Sequence, residues 1–221
     1  MKSLKFIIIF LSIGLCSCSQ EQSKVKHKIN PVAIELNNQA MTLVSFMNID
    51  SARKAIILLD RATTIDSNYF LGYYNKLLFL NQLKQYNRSI QTIHSLIRIK
   101  PWAHDLYLQG GILYEQVGDT IESSKYFQKS LSILDKVFDT MNVNNPNYEM
   151  LIGNKAINLV MIGEEVKANK LLKDFFDKHP DSEWRELTSS FMNKTKKELL
   201  EFLTTPEKDT QTVNEVYQVN Q

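Results

Sequence analysis

The chain has 221 residues, 43% of them hydrophobic, with 11 Phe and 9 Tyr, which is ample for a packed core and excludes wholesale disorder. Only 7 Gly and 5 Pro in that length argue against a loop-rich, many-turned all-β protein, and the size fits one domain with appendages. The 26 Lys and Arg nearly balance the 24 Asp and Glu, and Lys2 and Lys5 of the leader account for the excess. A neutral chain gives no electrostatic reason to expect nucleic acid or an anionic bilayer as partner.

Residues 1–5 form a short positive start, and residues 6–15 follow as an apolar run broken only by Ser12 and Gly14. A bilayer-spanning helix needs about 20 apolar residues, so this run reads as a secretory signal. It ends in Leu15-Cys16-Ser17-Cys18, which resembles the bacterial lipobox, where a Leu, a variable residue and a small residue precede the cysteine that is lipidated. Only Cys18 fits, because Ser17 before it is small whereas Cys16 follows the bulky Leu15. The resemblance implies a signal peptide over residues 1–17 and a lipid on Cys18; a plain signal peptide that leaves Cys18 a bystander is the alternative. Several acyl chains at about 0.8 kcal/mol per buried CH₂ make such an anchor effectively permanent. No cysteine follows, so the mature chain has no intramolecular disulfide and no thiol for catalysis or a metal. By the enterobacterial sorting rule, Ser19 after the cysteine points to the outer membrane. Residues 18–34 are then a tether, polar from Ser19 to Lys28, with Pro31 marking the entry to structure. A flexible dozen residues lets the folded part float roughly 20 Å off the bilayer.

From Leu36 onward the pattern is helical and it repeats. Ala55, Ser89 and Ser123 are spaced by 34, as are Leu59, Ile93 and Phe127, and Ile65, Ile99 and Ile133. Ala62 and Ser130 hold a second small position, where the middle copy has Leu96. Small residues at a constant spacing suit close helix crossings, and the larger apolar ones suit the seam between stacked pairs. Gly111, Tyr114, Gly118-Asp119 and the run Tyr126 to Leu131 in the third copy, with Pro101 closing the second, resemble the tetratricopeptide repeat family, whose period is 34. A fourth copy fits after an 11-residue slip, on Gly163-Glu164, Ala168, Leu172, Phe175 and His179-Pro180. The resemblance implies an all-α, right-handed α-solenoid of about four helix-turn-helix repeats within 35–182, at about 36–69, 70–103, 104–137 and 149–182. The early Trp of the family pattern is replaced by Gln39, Tyr73, Tyr107 and Ile152.

The slip has a physical reading. Phe127, Leu131, Leu134, Phe138 and Met141 continue one apolar stripe, so the second helix of the third repeat is expected to run long, before a loop at 142–147 that contains Pro146. Capping helices are expected over 183–205: Trp184, Leu187 and Phe191 share one face, and Thr195-Lys-Lys-Glu198 is a capping box opening a helix to Leu203. The segment 206–221 is polar and reads as a disordered tail.

Catalytic signals are lacking. His27, His94, His104 and His179 match no paired metal spacing, and there is no GxSxG, phosphate loop or CxxC. We expect no enzyme activity, no metal and no cofactor. Gly110-Gly111 inside a helical pattern reads as close helix packing, and the paired glutamates 164–165 read as solvated charge.

What remains is a surface. In tetratricopeptide arrays the first helix of each repeat lines a concave groove, near the second, fifth, ninth, twelfth and thirteenth positions. Carried over, these include Asn37, Asn48 and Asn81 but no Lys or Arg, which disfavours the carboxylate-clamp type of groove. The candidate peptide-binding residues are apolar: Tyr74, Leu78, Leu108, Ile112, Ile157, Val160 and Met161, suited to an amphipathic helix or an extended apolar peptide unless the chain fills its own groove. The expected function is a lipid-anchored envelope protein, facing the periplasm from the outer membrane, that binds another envelope protein as adaptor or scaffold. The alternative is a glycan- or nutrient-binding lipoprotein partnering an outer-membrane importer. Its sugar-stacking rings would have to come from Trp102 or Trp184, which both read as packing residues.

Overall fold

The computed structural model describes residues 27–44, 48–143, 145–180, 185 and 190–205. Cys18, Trp184, Leu187 and the tail beyond 205 lie outside the described residues. Among those described, every regular element is a helix: α1 Pro31–Met41, α2 Ile49–Ile65, α3 Phe70–Gln82, α4 Tyr86–Ile99, α5 His104–Gln116, α6 Thr120–Phe138, α7 Tyr148–Met161, α8 Glu165–Lys178 and α9 Lys196–Thr204. They fall into two compact units. The first runs through Trp102 and takes in Gln116–Gly118; the second is Ala103–Glu115 with the chain from Asp119 onward.

The helices pair as expected, and the turn inside a pair shows why. Lys84, Gly118 and Gly163 all have positive φ, at 54°, 80° and 84°. They occupy one position of the repeat, 34 apart and then 34 plus the 11-residue slip. The next amide in each case reaches back five residues: Gln85 N–H to Leu80 O at 2.9 Å, Asp119 to Tyr114 at 3.0 Å, Glu164 to Leu159 at 2.8 Å. A left-handed residue lets the chain reverse in three residues while using carbonyls that the helix end would leave unpaired. The second helix then starts on its own signals, for α6 the Asp119 carboxylate accepting from the Glu122 amide at 3.0 Å.

Packing follows the small-residue register. Ala55, Ser89, Ser123 and Ala168 are buried, as are Leu59, Ile93, Phe127 and Leu172 four residues on and Ala62, Leu96, Ser130 and Phe175 three beyond those. Gly111 shows the closeness directly: a Cβ there would lie 2.5 Å from the Phe127 ring. The third apolar set does not hold, since Ile65 is exposed and Ile99 and Ile133 are only partly buried.

The first repeat departs from the expected boundary. Its first helix opens at Pro31, not at 36, because the Asn30 side chain accepts from the Val32 amide and Pro31 supplies a preset φ at the first helical position. Residues 31–34 therefore belong to α1 and not to a tether, and a longer connection leads to α2, whose start Asn48 caps by accepting from Ser51. In the first unit α1 packs on α2 and α3, α2 on α3, and α3 on α4.

In the second unit α6 packs on α7, α7 on α8, and α9 on α7. The 19 residues of α6 against 14 in α4 and α8 are the long helix that the apolar stripe predicts, though it stops at Phe138, short of Met141. The capping box of α9 is complete: Thr195 Oγ1 accepts from the Glu198 amide at 3.3 Å, and the Thr195 amide donates to Glu198 Oε2 at 2.9 Å. Those bonds from the Thr195 backbone and side chain hold the Glu198 carboxyl below its ordinary range.

Candidate interaction surfaces

The seven candidate groove residues meet different fates. In the second unit Leu108, Ile157, Val160 and Met161 are buried to within a few per cent, and Ile112 packs against the same cluster. Phe191, Leu199 and Leu203 of the C-terminal segment belong to that cluster too. The inner positions of α5 and α7 are thus filled by the chain itself, so those four side chains are core and not open surface. An apolar helix face follows from the sequence; which later segment covers it depends on packing that spacing alone does not reveal.

On α3 of the first unit the second and ninth repeat positions stay open. Leu71, Tyr74 and Leu78 lie at i, i+3 and i+7 of α3, on one helix face. Leu71 is 49% and Leu78 41% exposed, with Tyr74 between them partly buried. The Tyr74 ring is not loose: it stacks on Phe70 with centroids 6.1 Å apart and planes 17° apart, and Lys100 Nζ sits 4.1 Å from the Phe70 centroid. A ring fixed in this way loses little freedom when a partner covers it.

The asparagines that a carboxylate-binding groove would use are committed elsewhere. Asn37 is buried and its Oδ1 accepts from Asn75 Nδ2 at 2.7 Å, Asn48 caps α2, and Asn81 Oδ1 accepts from Ser89 Oγ at 2.7 Å. Glu115 is the counterpart of Asn81 in the next repeat. Its Oε1 accepts from Ser123 Oγ at 2.5 Å and lies 2.7 Å from Lys196 Nζ of α9, with the Glu115 side chain only 8% exposed.

A second polar cluster closes the start of the first unit. The two Asp66 carboxylate oxygens lie 2.9 and 3.0 Å from His27 Nε2, and accept from the Asn30 amide at 2.9 Å and the Asn68 amide at 3.0 Å. An ionised carboxylate only accepts, so Nε2 carries the proton. Burial pushes the Asp66 carboxyl up, but the bonds from Asn30, His27 and Asn68 outweigh it and hold the carboxyl below its ordinary value. An open cavity of about 530 Å³ borders these residues, with Pro31 and Ile65 on its wall. His27, expected in a free tether, is instead docked.

His104 is a further perturbed group. Burial brings it down to about 4, and among the described residues its Nδ1 has no hydrogen-bond partner, as is true of both amide atoms of Gln109 and of Asn158 Oδ1. Amides recur at one repeat position, Asn75, Gln109 and Asn154, a regularity that the spacing of apolar residues does not expose. His179 stacks on Phe175 at 4.6 Å. Trp102, expected to pack, is 63% exposed.

Among the described residues no group of three or more His, Cys, Asp or Glu is placed to hold a metal, and no helix is long and apolar enough to cross a membrane. No protein-family model matches the chain, and no curated protein is similar to it. Among solved structures it is similar to PilW, described as a widely conserved type IV pilus biogenesis factor, at 20% identity and a TM-score of 0.47, covering 68% of this chain and 64% of that one. It is also similar to the MamA protein at 17% identity and a TM-score of 0.46, covering 73% of this chain and 78% of that one. The chain thus spans less than two thirds of the PilW chain. With its 34-residue period, its paired helices and one left-handed turn position held through the slip, the chain is built of tetratricopeptide-type helix pairs.

Proposed function

We propose that this protein is a lipid-anchored interaction module of the cell envelope that holds an apolar segment of another envelope protein against α3. The observation that carries the reading is the Leu71, Tyr74 and Leu78 face, an apolar strip on one side of a helix with a prefixed ring at its centre. A lipid on Cys18 would confine that face to a thin layer beside the outer membrane, raising its effective concentration toward other membrane-bound proteins. No catalytic step is needed.

Two variants test it. Cys18→Ser should move the protein from the membrane to the soluble fraction, and unchanged fractionation would remove the anchor. Crosslinking in the native membrane should capture one envelope protein in stoichiometric amount. Tyr74→Ala with Leu78→Asp should abolish that capture without loss of helical signal, and capture that survives would rule out the α3 face.

The exposed Trp102 favours a second reading, a glycan-binding lipoprotein serving an importer, because a solvent-facing indole is a stacking platform for sugars. A carbohydrate-array signal that disappears in Trp102→Ala would move the assignment there.

A further inference from the structure

The covered inner face of the second unit has the composition of a binding site with its ligand in place. The cover is short. At 9 residues α9 is below the length at which an isolated helix holds itself together in water, so it is helical because it is docked and capped. Its contacts are those of a helix ligand in a groove: Leu199 and Leu203, buried one turn apart, enter the cluster of Leu108, Ile157, Val160 and Met161. Lys196 reaches Glu115, Nζ to Oε1, at 2.7 Å. Lys196, Leu199 and Leu203 stand at i, i+3 and i+7, one stripe of the helix.

Glu115 points to a ligand more strongly than the apolar residues do. Its carboxylate sits on the floor of the face, nearly buried, at a repeat position where the flanking copies have the neutral Asn81 and Val160. A carboxylate that far from water needs a cation beside it, and Ser123 supplies only a hydroxyl. The cation comes from the covering helix, so the face selects a helix that brings a base at a fixed offset from its two leucines. A purely structural cap would need the leucines alone.

We infer that α9 is a resident, displaceable ligand, and that the inner face of α5 and α7 recognises a partner's short amphipathic helix with a Lys followed three and seven residues later by Leu. This site is separate from the α3 face, so either can fail without the other. A partner helix competes with α9 for Glu115 and the apolar cluster.

The test uses the full chain and a fluorescent peptide of residues 190–205 as probe. Peptide affinity for the Leu199→Asp chain, whose own α9 is expelled, should exceed that for the unaltered chain at least tenfold. A peptide with Lys196→Glu should lose that affinity and regain it on a chain that also carries Glu115→Lys. Should Leu199→Asp fail to fold, Lys196→Glu in the chain loosens only the polar contact and should still raise peptide affinity several-fold. A folded Leu199→Asp or Lys196→Glu chain that binds the peptide no better than the unaltered one would make α9 a fixed cap and overturn the proposal. Equal binding of the Lys196→Glu peptide would overturn the role of Glu115.

Discussion

The two units use the same repeat position for opposite ends. Leu78 in α3 and Ile157 in α7 occupy the ninth place of their repeats; the first is 41% exposed and the second 2%. Nothing in their immediate sequence separates them, since both are aliphatic, both lie on an inner helix face and both follow a residue on the same stripe. What differs is the chain available to cover them. The second unit is followed by residues 190–205, which place Phe191, Leu199 and Leu203 on its face, while α3 has no such segment among the described residues of its unit. Whether a repeat position becomes core or surface is therefore decided by what comes after the repeat, not by the repeat.

The largest test of that contrast is Ile157→Asp. A carboxylate forced into the cluster with Met161 and Leu199 has no partner and leaves lost packing around it, so the second unit should lose about 4 kcal/mol or more. The measurement is denaturant unfolding with amide exchange read separately over the two units. Retained stability would mean that the inner face of α7 opens easily.

Acid should separate the units next. His104, brought down to about 4 from 6.5, is neutral in the folded second unit while the unfolded chain takes up a proton. The unfolded state then binds more protons between those values, so stability falls as pH drops through that window, by about 2 kcal/mol at pH 5 relative to pH 7. His104→Leu should flatten this slope. Asp66 in the first unit acts the other way in range: its folded carboxyl lies below 3.8, so its contribution is present above that value and is lost only as pH falls further. The amide protection factors of the second unit should thus fall from pH 7 to pH 5 while those of the first stay level; loss of protection in both together would discard the assignment.

The turn position offers a comparison of opposite signs. Lys84 carries a left-handed φ of 54° that costs a non-glycine residue about 1 kcal/mol, and Gly118 carries one of 80° at no such cost. Lys84→Gly should raise stability by up to about 1 kcal/mol and Gly118→Ala should lower it by about as much, with open space around Gly118 leaving backbone strain as the cause. Equal signs would mean that the two turns are not equivalent.

These positions also separate what the amino-acid sequence makes legible from what it hides. The register of small residues and the glycines at 118 and 163 place helix pairs two to four, because a period of 34 and a left-handed turn are local demands. Lys84 hides the same turn, since lysine gives no sign of positive φ. The early start of α1 is legible in Asn30-Pro31, a cap followed by a preset φ, but the 34-residue register pulls the boundary to 36 when one period is imposed on a terminal repeat that does not keep it. The burial of Leu108, Ile157, Val160 and Met161 has no local signal, and neither does the pairing of Glu115 with Lys196, 81 residues apart in sequence. Contacts of that separation are chosen by which surfaces remain once the local helices exist.

Leu78→Asp carries the smallest expected change in stability and the sharpest consequence for function. The side chain already faces solvent, so replacing it removes little buried area, and a surface substitution away from caps and cavities shifts stability by about 0.5 kcal/mol or less. The same carboxylate would be desolvated by any apolar segment laid along Leu71 and Tyr74, a cost felt only in the complex. Stability and capture should therefore part at this residue and move together at Ile157, when both variants are followed in one melting and crosslinking series. If Leu78→Asp melts as early as Ile157→Asp, α3 is covered in the native protein and its face is core like that of α7. If it melts normally and capture persists, the partner sits elsewhere, and the covered face of the second unit becomes the place to look.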